Sequence, residues 1–544
     1  MTGLASYRRY LPILGQVWRL SLPVIVANLF MTMVNVVDVF MAGRLGPVEI
    51  AAVGMASSVR LLVLIAILAV TAGSMALAAQ AHGARDPAGV SFVARQSYSL
   101  TLILGLTLSV IGWFAAEPLL TFLNSGGDPR AVELGAAYLK ILFLGTIFLN
   151  FNFVNNSLMQ GAGDTVTPLY ITAGINVLNV LFNYLFMFGP GPLPAYGVAG
   201  AAMGTVLSRV IAAGVGFYIF RSGRNVIKIL PGSYKPDLTM FRDILAIGIP
   251  SGLQGVVRNS AQLFVLRIVT STAAGSYGAA ALAVGIQIES LAFMPGLAIS
   301  VAATSLVGRS LGAWQVSAAR IQGNVAIFLG VVVMSLIALP LFVFAPAIIR
   351  LFDPSAHPTV VEAGTAYIRI NALFQPLLAI AMVTNGTLRG AGDTRPGLIG
   401  TLIGRWLVVV PLAYLLALQL GMGVNGVWWA LVTGTTVQAL YILLRWRSGT
   451  WQEVALKKTK VYRRYLHNLP QPAQARFLHE VRGPLLALEN TTEHVGKDRV
   501  EYRGGAGTVT VRFEGGDFRL EDPGSCAPTW RLREGPPHVA ASHD

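Results

Sequence analysis

The chain has 544 residues, 54% of them hydrophobic and only 12% charged, with a mean hydropathy of +0.62 and a formal net charge of +15. A soluble domain carries about 25% charged residues, so this composition excludes an ordinary water-soluble globule and describes a membrane protein. The lone cysteine, Cys526, excludes an internal disulfide framework and a cysteine-based metal cluster.

Apolar runs long enough to cross a bilayer, about 20 residues, recur as far as residue 445. Turn signals and charge clusters divide them into twelve predicted spans: 18–42, 51–79, 96–116, 133–159, 166–188, 196–220, 243–272, 279–308, 321–345, 362–388, 396–419 and 423–444. The first follows a basic N-terminus, as a secretory signal would, but its length and the many spans after it mark it as retained. It contains Pro23, where bending is expected because a proline inside a helix removes a backbone hydrogen bond. Near its end, NVVDVFMAG places Asp38 after the uncharged run Leu20 to Val37. Asn28, Met31, Asn35 and Asp38 recur at helical spacing and give this helix one polar stripe directed at something other than lipid. Desolvation penalises the charged form of a carboxylate, so a proton, Na⁺ or a cationic ligand becomes the partner that lets Asp38 stay in a dry interior. The plainer alternative is a carboxylate that reaches headgroup water.

Span five carries a second stripe, Asn176, Asn179 and Asn183. Asparagines in a membrane helix also serve simply to bond a neighbouring helix, at about 0.6 to 2 kcal/mol. Span eight holds Gln287 and Glu289, the latter the only other acid deep in a span. It stands either as a substrate-cavity residue or as the partner of Arg258 or Arg267 in span seven. Seven basic residues fall in the interior of spans: Arg60, Lys140, Arg209, Arg258, Arg267, Arg369 and Arg405. Lys140 and Arg369 lie near span ends and are expected to snorkel; the others pair internally or line a positive cavity.

With the N-terminus inside, the inner loops up to Arg395 carry fourteen Lys and Arg, whereas the outer loops carry Arg44, Arg130 and Arg350. The positive-inside rule then places both termini in the cytoplasm of a multi-pass inner-membrane protein and accounts for the net charge without nucleic acid. Residues 446–544 form a polar cytoplasmic tail. It opens with a basic segment, TWQEVALKKTKVYRRYLHNLP, that could lie on the anionic inner leaflet, and continues into an alternating stretch expected as a small β-meander.

The first half of the spans is written again in the second. VELGAAYLKI at Val132 returns as VEAGTAYIRI at Val361, and GAGDT at Gly161 returns at Gly390, both at an offset of 229. Pro23 answers Pro250 at 227, and GVAGAA at Gly197 answers GVNGVW at Gly423 at 226. Six spans separate equivalent points, so the two halves enter the membrane in the same orientation. This is a parallel repeat with the natural site between the halves or inside one of them. The expected organisation is an N-terminal lobe (1–220), a cytoplasmic linker (221–242), a C-terminal lobe (243–445) and the tail. The seven histidines lie in loops or tail, and no phosphate loop, HExxH or GxSxG is present. An enzyme is not expected, nor is a cofactor.

LPVIVANLFMTMVNVVDVFMAGRLG, the pair VNNSLMQGAGDTVTP and VTNGTLRGAGDTRPG, and RWLVVVPLAY resemble the multidrug and toxic compound extrusion (MATE) transporters across residues 1 to about 445. The resemblance implies an all-α fold of twelve helices in two V-shaped six-helix lobes. It also implies a monomer that exports organic cations or amphipathic drugs in exchange for H⁺ or Na⁺, with a small-molecule substrate and lipid as its partners. Within the family's motifs Asp38 matches the coupling acid, Asn179 its span-five Asn, and Thr205 its span-six Thr. Asn183 replaces an Asp, which keeps an oxygen ligand but removes a charge. Asp38 would be a metal ligand only under sodium coupling. Arg258 stands where another branch carries a Glu, so a second-lobe cation site of that type is not expected. Asn35, Asn176, Gln287 and Glu289 are the expected substrate-cavity residues. The intramembrane cations leave a second reading open, a flippase or exporter of an anionic substrate such as a lipid-linked sugar phosphate.

Overall fold

The structure is a computed structural model describing residues 2–124, 128–190, 194–223, 226–313, 315–352, 357–452, 454 and four strands between 492 and 521. The helices are α1 (Thr2–Gly43), α2 (Pro47–Gly83), α3 (Pro87–Leu123), α4 (Pro129–Ala162), α5 (Val166–Phe188), α6 (Gly197–Ser222) and α7 (Leu238–Thr270). They continue as α8 (Gly275–Gly312), α9 (Val316–Val343), the short α10 (Ala345–Phe352) and α11 (Pro358–Gly390). Then come α12 (Arg395–Gln419), which includes π-helical turns at Ile403–Val409 and Leu415–Gln419, and α13 (Gly423–Arg447). Helices suit the bilayer because they satisfy their own backbone polar groups.

Among the described residues, ten helices are long and apolar enough to cross a membrane. The two expected spans outside that set are α2, whose side chains from 60 to 66 lie outside the described residues, and α7, which carries Arg242, Asp243, Arg258 and Arg267 along its length.

Local chemistry sets the helix ends. Proline opens α2, α3, α4 and α11, where its missing N–H is not needed. Asp86 and Asp128 cap α3 and α4 by accepting from the amides of Gly89 and Arg130, each at 2.8 Å. The repeated GAGDT is a helix-stop device. Gly163 and Gly392 take φ of 91° and 79°, a left-handed turn that glycine adopts without penalty. The following amides, Asp164 and Asp393, donate back to the carbonyls of Met159 and Leu388, both at 2.9 Å.

The same turns hold the two halves together. Gln80 of α2 donates to the Gly390 carbonyl at 3.0 Å, and Ser305 of α8 donates to the Gly161 carbonyl at 3.0 Å. Between them α2 and α8 cross at glycine notches. A Cβ on Gly83 would lie 1.9 Å from the Arg309 carbonyl oxygen, and one on Gly312 would lie 1.9 Å from that of Gln80. Gly83 and Gly312, like Gln80 and Arg309, differ by the repeat offset of 229, so the crossing is symmetric.

The first helix of each half begins on the other half. Val17 of α1 is buried in a core formed by α8, α9, α11 and α13, including Ile299, Leu306 and Trp446. Its counterpart on α7, Ile244, is buried with Met240 and Phe241 among residues of α2, α3 and α4. The far end of α7 (Val265, Ile268, Val269) rejoins its own half, and the far end of α1 packs on α5. Pro23 and Pro250 follow these crossed anchors at the same interval, six residues on, and each lies inside a continuous helix.

Near the C-terminus, Thr492–Val495 (β1), Arg499–Gly504 (β2), Gly507–Glu514 (β3) and Asp517–Glu521 (β4) form one antiparallel sheet in the order β1-β2-β3-β4. Gly504 pairs with Gly507, and Glu514 with Asp517, at its last two turns. The basic segment expected at the membrane surface lies, from residue 455 onward, outside the described residues.

Candidate ion and substrate site

Three helices of the first half build the site. Two glycines let α6 press onto α5: a Cβ on Gly200 would lie 2.2 Å from the Phe186 carbonyl oxygen, and one on Gly204 would lie 2.3 Å from Asn183 Oδ1. This brings Thr205, the next residue on α6, against the asparagine stripe of α5, whose Asn176, Asn179 and Asn183 are all buried. The end of α1 supplies Asp38, which is half-buried.

The side chains form one chain of hydrogen bonds. Asn183 Nδ2 donates to Asp38 Oδ1 at 2.9 Å and lies 3.3 Å from Asn179 Oδ1, while Asn179 Nδ2 donates to Thr205 Oγ1 at 3.0 Å. Asn183 Oδ1 and Asn176 Nδ2 are buried with no protein partner. Leaving such atoms unsatisfied costs about 1–3 kcal/mol each, so the site has capacity for a further donor or cation at Asn183 Oδ1 and for an acceptor at Asn176 Nδ2. Asp38, Asn176, Asn179 and Thr205 line a cavity of about 230 Å³, walled by Met31, Tyr138, Phe143 and Phe153. The arrangement offers one carboxylate and several neutral oxygens, a set suited to a proton or a hard monovalent cation, beside an apolar and aromatic wall. Among the described residues no group of three or more His, Cys, Asp or Glu is placed to hold a metal.

The structure thus brings Asp38, Asn179, Asn183 and Thr205 together, with Asn176 in the same cavity wall. The side chain of Asn35 lies outside the described residues. Gln287 and Glu289 are elsewhere: neither lines this cavity, and Gln287 is exposed. Sequence reasoning left Arg209 among the unassigned cations, yet it lines the cavity with Asp38. The available signal was its spacing, one helical turn after Thr205.

Glu289 belongs to a separate cluster in the second half. Tyr367 Oη donates to Glu289 Oε2, and the ring of Tyr367 stands edge-on to Trp428 with centroids 4.9 Å apart. Arg258 and Arg405 lie within electrostatic range of Glu289, but among the described residues neither Arg258 nor Arg267 forms the ion pair with it that was expected from sequence. By the 229 offset, Tyr367 and Arg405 occupy the positions of Tyr138 and Asn176, so the cation replaces an amide of the first half. Next to it runs a neutral chain: Asn385 Nδ2 donates to Gln254 Oε1 at 2.8 Å, and Gln254 Nε2 donates to Thr401 Oγ1 at 2.9 Å. Of the two cations expected to snorkel, Lys140 pairs with Glu117 at 3.3 Å, and the Arg369 guanidinium lies over Phe342, 5.8 Å from the ring centroid.

The MatE family profile matches the chain twice, over residues 23–185 and 250–415, the two matches starting at Pro23 and Pro250. The chain is 30% identical over 466 residues to a probable multidrug resistance protein NorM of Thermotoga maritima, covering 83% of this chain and 97% of the relative. It is 30% identical to another of Burkholderia pseudomallei, covering 79% and 91%. Among solved structures it resembles a multidrug resistance MATE transporter of the MOP superfamily in an outward-facing conformation, with a TM-score of 0.74, 27% identity, and coverage of 81% of this chain and 96% of that one. It equally resembles a MOP superfamily transporter from Pyrococcus furiosus described as having a binding pocket of reverse polarity, with a TM-score of 0.74, 27% identity, and coverage of 80% and 95%.

Proposed function

The chain belongs to the MatE family of multidrug efflux transporters, and from that premise we propose that it exports amphipathic drugs in exchange for H⁺ or Na⁺ by alternating access. The observation that carries this reading is the hydrogen-bonded chain from Asp38 through Asn183 and Asn179 to Thr205, opening on a cavity with an aromatic wall. Among the described residues Asp38 is the one carboxylate in that wall. Protonated or ion-bound it is neutral and compatible with a closed, dry cavity; ionised, it attracts a cationic ligand. Competition for one carboxylate couples the ion to the drug.

Residues 1–220 and 243–445 act as the two lobes, joined by 221–242. The crossed starts of α1 and α7 make these helices the tethers that must bend as the lobes rock, with Pro23 as the hinge. The protein works as a monomer in the inner membrane with both termini in the cytoplasm, and needs no cofactor beyond the coupling ion. Names of the relatives favour drug export over movement of a lipid-linked sugar phosphate.

The test is Asp38→Asn, which preserves size and hydrogen bonding but not charge. Efflux of a fluorescent substrate from everted vesicles, with the pH and Na⁺ gradients collapsed separately, should be abolished in the variant while its level in the membrane stays normal. Wild-type rates in the variant under an imposed gradient would sink the coupling role.

A further inference from the structure

The buried face of α5 carries the asparagines of the ion site; its opposite face forms one wall of a second cavity. Val177, Leu181 and Tyr184 lie 70%, 47% and 50% exposed on that face, and with Phe188 they make a continuous apolar stripe at helical spacing. The last turn of α1 supplies the other wall through Phe40, and Arg44 stands just past the helix end. Together they enclose a groove of about 350 Å³. The Arg44 guanidinium lies over the Phe40 ring, 4.8 Å from its centroid, and among the described residues no carboxylate pairs with it.

The length and polarity of this groove match one lipid. Arg44 and Phe188 both line it and both stand where their helices finish, so the cation marks the headgroup end and Val177 the end nearer the bilayer centre. From Val177 to Phe188 the helix rises about 16 Å, half of a hydrocarbon core of about 30 Å and so the depth of one leaflet. Tyr184 and Phe188, toward the cationic end, suit the aromatic level of a membrane interface. A planar guanidinium takes a phosphate through two parallel hydrogen bonds, and a headgroup of net negative charge adds an attraction that a zwitterionic one lacks. Of the outer-loop cations Arg44, Arg130 and Arg350, Arg44 is the one in the wall of this groove.

We propose that the groove between α5 and the end of α1 is a binding site for an anionic phospholipid, with one acyl chain lying along Val177 to Phe188 and the phosphate on Arg44. On the topology proposed above, the lipid comes from the outer leaflet. Asp38, within the last two turns of α1, is bonded by Asn183 of α5, and Asn183 is buried on the face of α5 turned away from the groove. The lipid therefore braces, from the membrane side, the same α1–α5 contact that holds the ion site together.

The experiment is native mass spectrometry of the full chain in detergent, titrated with phosphatidylglycerol or with phosphatidylcholine of the same acyl chains. One phosphatidylglycerol should be retained in preference to phosphatidylcholine by about fivefold, the worth of one basic residue near an anionic headgroup. Arg44→Gln should remove that preference, whereas Arg130→Gln and Arg350→Gln should keep it. Leu181→Trp, which fills the groove, should lower retention of both lipids, and it carries the test if Arg44→Gln does not accumulate. Equal retention of the two lipids by the wild-type chain would show indiscriminate boundary lipid and overturn the assignment. So would a preference that survives Arg44→Gln, a preference lost equally in all three arginine variants, or retention that Leu181→Trp leaves unchanged.

Discussion

The crossing of α2 and α8 lends itself to a quantitative test. In Gly83→Ala the new Cβ would sit 1.9 Å from the Arg309 carbonyl oxygen, a backbone atom that cannot rotate away. An ordinary carbon–oxygen contact is about 3.3 Å, so the helices must part by more than an ångström at this level. Overpacking of this kind costs about 1–3 kcal/mol. The parting also stretches the bonds from Gln80 to Gly390 and from Ser305 to Gly161, both 3.0 Å, each worth about 0.5–1.5 kcal/mol. Against this, alanine in a helix gains about 1 kcal/mol over glycine. The net is about 3 kcal/mol against the sealed arrangement, a shift on the order of a hundredfold toward conformers in which this end is open. Gly312→Ala, which meets the Gln80 carbonyl at the same distance, should behave alike, and the double variant more strongly. Gly174→Ala is the control, because its Cβ meets nothing within 4 Å and should be neutral or stabilising. Nitroxide labels at the exposed Arg85 and Gln315, after Cys526→Ser removes the only native thiol, report the separation by pulsed electron resonance. An unchanged distance distribution in Gly83→Ala would show that the glycine seam does not hold the halves together.

Pro23→Ala restores a backbone donor between the crossed anchor at Val17 and the site at Asp38. It should slow turnover several-fold while leaving substrate affinity within about twofold, as read by steady-state efflux and equilibrium binding; unchanged turnover would make the proline a packing feature. Asn183→Asp places a second carboxylate next to Asp38 in place of an amide whose Nδ2 lies 2.9 Å from it. Two such groups repel unless they share a cation, so transport should become more dependent on Na⁺, measured as the ratio of efflux under Na⁺ and pH gradients. A chain ending before Lys457 should export at close to the full rate, since both family matches end by residue 415; a folded but inactive truncation would assign the tail a role in the pathway.

What the sequence settles by itself is what depends on near neighbours or on exact repetition. Bilayer-length apolar runs place the helices, because a chain in lipid must satisfy its backbone within each segment. GAGDT at two positions 229 apart marks two helix stops, because only glycine turns left-handed there without strain. Asn179 and Asn183 are legible as one helix face from spacing alone, and Asp38 as a carboxylate needing a partner. The other end of each contact is decided in three dimensions. Glycine notches on α6 bring Thr205 to Asn179, which no local pattern specifies. Nor does any local pattern foretell that α1 and α7 begin on opposite halves, since Val17 and Ile244 are ordinary apolar residues whose partners lie far along the chain. The same holds for charge. Composition counts the intramembrane arginines, but only packing brings Arg405 into electrostatic range of Glu289 in one half and puts Arg209 in the lining of the Asp38 cavity in the other, because a buried charge acts on whatever surrounds it in space, and its surroundings are built by helices distant in sequence.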